Sequence, residues 1–196
     1  MKFEIFEYRK VESTNDTAIS LIKNYNKKKG CVFATNQTSA RGTKGRKWIS
    51  EEGNFFGSIF FQLKEIYPSF NEFSVINPII IANVIANFCI DKKINLKFPN
   101  DIFVNKKKIC GILQEVITSN NIKFLIIGIG LNIISNPKIE QSYQATNLLF
   151  EAKKNPSIKE MVNLIVSEYE NFFVNIDSYD YKNFKRKAES MTLNLT

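Results

Sequence analysis

Phe3, Ile5 and Tyr8 alternate with polar residues at the start of the chain, which predicts that it opens directly with a strand. Ser13 then stands where a helix N-cap belongs, with Asp16 three residues on. Ala18, Leu21, Ile22 and Tyr25 follow at helical spacing, so a helix is predicted from about Thr14 to Tyr25. Cys31 to Ala34 reads as a buried strand running into Asn36 and Gln37, and Phe55 to Leu63 as a strand with a heavy aromatic load. Between them, Thr38 to Lys47 holds no apolar residue larger than Ala and sets glycines among cations, which makes it a basic loop closed by Trp48.

Phe73 to Ile90 is apolar around most of its circumference, the pattern of a buried helix, which Pro78 must either start or kink. Ile102 to Val104, a turn at Asn105 to Lys107, Ile109 to Thr118, a second turn at Ser119 to Asn121 and Ile122 to Ile134 make an antiparallel meander. Ser157 and Glu160 form a capping-box pattern ahead of Met161, Leu164, Ile165, Tyr169, Phe172, Phe173 and Ile176 at helical spacing, and a shorter helix from about Tyr179 to Ser190 ends the chain. The class expected is α+β, with a mixed, largely antiparallel sheet packed with helices in one domain over residues 1–196.

Composition removes more functions than it suggests. The absence of histidine excludes Ser-His-Asp and Cys-His nucleophile pairs and imidazole metal sites. Cys31, Cys89 and Cys110 are odd in number and unpaired in spacing, which argues against disulfides and a zinc ribbon. The longest apolar run, Ile79 to Ile90, is too short to span a bilayer, and the first residues lack a signal-peptide stretch, so a cytoplasmic protein without membrane association is expected. The net charge of +8 is scattered, with short runs only at Lys27 to Lys29 and Lys106 to Lys108, rather than gathered in the stripe that a nucleic-acid backbone requires.

Four stretches carry candidate chemistry. Lys97-Phe98-Pro99-Asn100-Asp101, followed by Lys108-Ile109-Cys110-Gly111-Ile112-Leu113, sets cations, a carboxamide and a carboxylate around a proline corner; a plain turn with a solvated hairpin lysine is the bland alternative. Ala40-Arg41-Gly42-Thr43-Lys44-Gly45-Arg46-Lys47-Trp48 interleaves glycines that let backbone amides approach an anion with cations that match phosphate or carboxylate, and it equally fits a solvated loop. It is not a Walker loop. Ser13-Thr14-Asn15 is an N-cap that also suits the polar edge of a small ligand. Gly128-Ile129-Gly130-Leu131-Asn132 places glycines inside a strand, which marks close approach by a ligand or by a bulky neighbour.

Taken in order, Ser13-Thr14-Asn15, Gln37 before the Arg41-Gly42 to Trp48 loop, Lys97 to Asp101, Lys108 to Leu113 and Gly128 to Asn132 resemble the catalytic domain of biotin protein ligase, from about Val11 to Ile134. That resemblance implies a fold like class II aminoacyl-tRNA synthetases. It also implies formation of biotinyl-adenylate from biotin and ATP with Mg2+, and transfer of biotin to a lysine of a biotin carboxyl carrier domain. Ser13, Thr14 and Gln37 would line the biotin site, Asn15 would support that turn, and Arg41 and Gly42 would close over the ligand. Gly111, Gly128 and Gly130 would admit it to the backbone. Lys108 would lie against the biotin carboxylate and the α-phosphate, where charge stabilisation and positioning are its natural roles. Arg46, with Thr43 and Lys44 beside it, would contact phosphate, and Trp48 would pack near the adenine or over the loop. Asn100, Asp101 and Asn132 would serve the nucleotide, its magnesium and the incoming amine. Lys108, Asp101 and Arg46 are the catalytic candidates, with no protein ligand assigned to a metal, and Lys97 has no assigned role.

Two departures from the family pattern matter. Its loop commonly reads Gly-Arg-Gly-Arg-x-Gly-Arg, whereas Ala40 and Thr43 stand here for the first Gly and the second Arg, so partial escape of the adenylate is expected. The chain is also short for the small C-terminal barrel of many members and for the N-terminal winged helix through which some bind DNA; no DNA partner is expected, and a monomer or weak homodimer is. The loop Thr38 to Lys47 is expected to be mobile until ligand arrives. The alternatives are a lipoate or octanoate ligase, whose loop carries a histidine this chain lacks, and a non-catalytic biotin-binding module.

Overall fold

Ser13 follows the first strand and caps the start of the first helix. Its backbone is extended, and its hydroxyl accepts the Asp16 amide N–H, satisfying one of the donors that a helix start leaves free. In the computed structural model, which describes residues 1–137, 143–154 and 156–193, α1 (Thr14–Tyr25) then joins β1 (Ile5–Val11) to β2 (Lys29–Gln37) as a parallel pair. Asn26, in the left-handed region, turns the chain out of α1. Every other strand pair is antiparallel: β3 (Phe55–Gln62), β4 (Ile94–Lys97), β5 (Asp101–Val104), β6 (Lys107–Ser119) and β7 (Ile122–Leu131) complete a seven-stranded sheet in the order β1-β2-β3-β7-β6-β5-β4. The mixed, largely antiparallel sheet expected from the sequence is the one observed.

Strand alternation divides the sheet into two faces. Phe55, Ile59 and Phe61 of β3, with Leu125, Ile127 and Ile129 of β7, face α2 (Phe70–Ala86) and α4 (Ile158–Val174) in the main core. Phe60, Phe124 and Ile126 face the other way and meet Ala18, Leu21 and Ile22 of α1 in a smaller core. Because α1 covers only part of that second face, the remainder, where Gly111, Gly128 and Gly130 lie, is left for the loop after β2.

The second helix corrects its predicted bounds. It starts at Phe70 rather than Phe73, because Ser69 and Glu72 cap it reciprocally, Ser69 N–H donating to Glu72 Oε2 at 2.7 Å and Glu72 N–H to Ser69 Oγ at 3.3 Å. It ends at Ala86, short of Ile90, and Pro78 sits inside it rather than at its start. Asn77, fully buried beside that proline, donates to Gln114 of β6 at 2.6 Å and accepts from Tyr169 of α4 at 3.0 Å, so one satisfied polar thread ties two helices to the sheet. A short α3 (Leu148–Glu151) was not foreseen, and α5 (Tyr181–Met191) leads to Leu193, whose N–H donates to Leu96 at the β4 edge. All three cysteines are buried free thiols, and burial pushes Cys31 up to about 12 and Cys89 to about 11, so both stay protonated and inert near neutrality. Among the described residues no helix is long and apolar enough to cross a membrane.

Candidate active site

The first turn of α1 presents its polar residues to the uncovered sheet face. Thr14 donates its backbone N–H to Gln37 Oε1 at 2.8 Å, and its hydroxyl lies 3.2 Å from the same oxygen. Ser58, at the centre of β3, stands 2.8 Å from Thr14 Oγ1 and 2.5 Å from Asn15 Oδ1, and its single hydroxyl hydrogen goes to the amide oxygen. Asn15 donates in turn to Glu115 of β6 at 2.6 Å. Thr14, Asn15 and Ser58 are nearly inaccessible to solvent and Gln37 and Glu115 are half-buried, so their fixed donors and acceptors form a preset recognition edge.

The basic loop folds back on itself as a small hairpin. Gly42 N–H donates to Arg46 O at 2.6 Å, Trp48 N–H to Ala40 O at 3.0 Å, and the Arg46 guanidinium donates to Thr43 O and Oγ1 at 3.2 and 2.9 Å. Arg41 bridges Asp16 of α1 at 2.6 Å and Glu115 of β6 at 3.2 Å, which tethers the hairpin across the recognition edge. The loop therefore has internal and tethering bonds that its glycine-rich, basic composition did not suggest. At its end the Trp48 indole lies on two register-paired glycines. A Cβ at Gly130 would stand 2.5 Å from Trp48 Cε2, and one at Gly111 2.6 Å from Cζ3. A Cβ at Gly128 would stand 2.5 Å from Asn15 Oδ1. The three glycines make room for Trp48 and Asn15, the bulky-neighbour alternative, and the cavity reaches their backbone beside those side chains.

The proline corner supplies the charged part. The Phe98–Pro99 bond is cis, and Asn100 fastens the corner to β6 by donating its Nδ2 to Ile112 O at 2.9 Å and accepting Ile112 N–H at 2.7 Å. Strict alternation would put Lys108 on the core face with Cys110 and Ile112. A bulge prevents this: Ile102 pairs with Cys110 but Phe103 pairs with Lys108, so Ile109 is the extra residue and joins the core, while Lys108 turns to the face of Asp101 and Gly111. Its Nζ reaches Asp101 Oδ1 at 2.7 Å, with the two side chains only 14% and 17% exposed. A partly buried ammonium with one carboxylate partner retains donors for a second anion.

One cavity of about 130 Å3 collects these pieces. Its wall contains Ser13, Thr14, Asn15, Gln37, Arg41, Gly42, Thr43, Arg46, Trp48, Asn100, Asp101, Lys108, Gly111, Gly128, Gly130 and Asn132, every site residue expected from the sequence except Lys44. Lys44 is exposed at a left-handed position in the loop's tight turn, away from the wall. Asn132 is buried and donates its Nδ2 to Thr146 O at 2.9 Å.

The family model for the biotin/lipoate A/B protein ligases matches residues 8–132, more than half of the chain and the span that supplies most of this wall. The chain belongs to the biotin/lipoate A/B protein ligase family. It is 30% identical to the bifunctional ligase/repressor BirA of Escherichia coli over 134 residues, 67% of this chain and 41% of BirA. With the biotin–[acetyl-CoA-carboxylase] ligase of Paracoccus denitrificans it shares 27% over 130 residues, 65% of this chain and 54% of the relative. The chain thus spans less than two thirds of these relatives. Among solved structures, biotin protein ligase from Leishmania major in complex with biotinyl-5-AMP superposes with a TM-score of 0.84 at 26% identity, covering 98% of this chain and 84% of the other. The Aquifex aeolicus ligase in complex with biotin and ATP gives 0.79 at 26%, covering 97% and 78%.

Several wall or support residues of this family member escaped the sequence reading. Ser58 sits in an aromatic strand where nothing marks it, and Glu115 in a strand where charge reads as solvent-facing. Asn54, almost fully buried, accepts from the amides of Ile133, Ile134 and Ser135 at 2.8, 3.1 and 3.3 Å and so holds the chain after Asn132. Tyr143 lies in an irregular segment and meets Lys108 only through the fold. Lys97, left without a role, lies 5.3 Å from the centre of that same ring and off the cavity wall.

Proposed function

We propose that this chain is a biotin protein ligase acting as one catalytic domain: it activates biotin with ATP as biotinyl-5'-AMP, releases pyrophosphate, and passes biotin to a lysine of a biotin carboxyl carrier domain. The observation that carries this reading is the meeting, in one cavity, of a buried hydrogen-bonding edge and a cationic centre drawn from five separated motifs. A ureido ring needs such an edge, because an analogue lacking its groups leaves buried polar atoms unpaired. Ser13, Thr14 and Gln37 take the biotin head, with Ser58 holding Thr14 and Asn15 from behind, while Lys108 holds the biotin carboxylate and the α-phosphate together. The carboxylate oxygen attacks phosphorus, pyrophosphate leaves, and Lys108 with Arg46 stabilises the charge that develops. In the second step the acceptor amine attacks the acyl carbon, the C–O bond to phosphate breaks so that AMP leaves, and the amine releases a proton as the amide forms.

Magnesium enters with the nucleotide. Mg2+ keeps several waters and takes phosphate oxygens, and among the described residues no cluster of three Asp, Glu, Cys or His side chains is available to hold it. The deciding measurement is pyrophosphate release from ATP with biotin, with lipoate and with neither. Release that depends on biotin supports the reading, and release that depends on lipoate instead overturns it.

Thr43 adds an expected outcome. Its oxygens hold the Arg46 guanidinium but bring no charge of their own, so the adenylate is retained weakly. Thr43→Arg is expected to lower biotinylation of a bystander amine by about 10- to 100-fold, the scale of one charge-assisted hydrogen bond. Equal bystander labelling by the two proteins would count against weak retention.

A further inference from the structure

The Lys108 ammonium lies against two aromatic rings as well as beside a carboxylate. Its Nζ is 5.4 Å from the centre of the Trp48 ring and 5.6 Å from that of Tyr143, with Asp101 Oδ1 at 2.7 Å. The segment that carries Tyr143 is attached to this same lysine. Lys108 N–H donates to Gln144 O at 2.8 Å, and Lys108 O accepts the Thr146 N–H at 2.8 Å, a parallel bridge between Lys108 and Ala145. Phe103, fully buried and the register partner of Lys108, meets the Tyr143 ring edge-on at 5.4 Å and 75°. A strap bonded to the lysine backbone therefore sets a ring over the lysine's own charge.

We propose that Tyr143 is a positioning residue for acyl activation: its ring, with that of Trp48, confines the Lys108 ammonium beside Asp101, where the biotin carboxylate and the α-phosphate meet. The chemical role rests on the reading under Proposed function; the confinement does not. A lysine charge rides on a flexible four-carbon stem, and an ion pair with one carboxylate restrains its distance more than its direction. Two rings whose faces attract a cation restrain the direction as well. Asp101 pairs with this ammonium, Lys97 shares the Tyr143 ring, and Arg41, Arg46 and Lys47 line the same cavity. Removing the ring therefore frees both ammonium groups, whereas removing the phenolic hydroxyl leaves the restraint in place.

The test uses Y143L, Y143M and Y143F in the full chain, with kcat and KM taken from biotin-dependent pyrophosphate release. Both ringless variants are expected to lose about 3- to 30-fold in kcat, the scale of one desolvated cation–ring contact, with KM for ATP and biotin moved by about twofold or less. Y143F is expected to recover most of that loss. Acetic anhydride labelling, followed by mass spectrometry of each lysine, reads the confinement without turnover: Lys108 and Lys97 label faster relative to the other lysines in Y143L and Y143M, and as in the parent chain in Y143F. Unchanged kcat and labelling in both ringless variants overturn the proposal, and so does a Y143F as slow as Y143L. If the parent chain shows no biotin-dependent release, the ligase reading fails, while the labelling pattern still decides whether the ring confines the lysine.

Discussion

Lys108→Met is expected to slow biotin-dependent pyrophosphate release by about 10²- to 10³-fold, the usual cost of removing one preorganised group aimed at transition-state charge. Methionine keeps most of the length and the apolar stem, so packing against Trp48 persists and the charge alone is lost. Asp101 is then left partly buried without its partner, which costs stability unless it protonates. The double variant Lys108→Met with Asp101→Asn separates the two consequences: melting temperature recovers and turnover does not. Biotin binding measured calorimetrically should fall far less than kcat, because Ser13, Thr14 and Gln37 are untouched. A Lys108→Met rate within threefold of the parent chain would remove Lys108 from the chemistry.

The residues of this site were legible in the sequence to different depths for physical reasons. Thr14 and Asn15 could be read because a helix start demands a capping side chain, and the apolar spacing after it fixes where the helix begins. The basic loop could be read because glycines and cations together leave few structural uses. The orientation of Lys108 could not, because period-two alternation sends it to the core, and the bulge at Ile109 that reverses it is a property of two strands in register. Ser58, Glu115 and Tyr143 act through contacts spanning between 35 and 100 positions of chain, from Tyr143 to Lys108 at the near end and Asn15 to Glu115 at the far end, and composition carries no trace of them. At the fold level, the Ser69–Glu72 box did lie in the sequence just ahead of an apolar run and would have placed the start of α2 correctly.

Gly130→Ala is expected to lower kcat/KM for ATP by about 10²-fold, because a misplacement of about 1 Å near the reacting groups is enough for a loss of that size. The new Cβ would stand 2.5 Å from Trp48 Cε2, 2.6 Å from Cζ2 and 2.8 Å from Nε1, all well inside ordinary contact distance. The indole cannot slide aside along the sheet, since its far edge already rests on Gly111, where a Cβ would stand 2.6 Å from Cζ3. Nor is it anchored by a hydrogen bond, for its Nε1 is buried with no partner among the described residues, so shape alone places it. The ring must lift, and the Trp48 N–H bond to Ala40 carries the displacement into the loop that holds Arg41 and Arg46, while Lys108 loses one of its two ring neighbours. Trp48 is the only tryptophan in the chain, so its emission reports the ring directly: a red shift in Gly130→Ala should accompany the loss of rate. In a Trp48→Leu background the same glycine change should cost little further, because the side chain it evicts is already gone. Additive losses in that double variant would mean that Gly130 serves the ligand or the backbone itself, and the ring's placement would need another explanation.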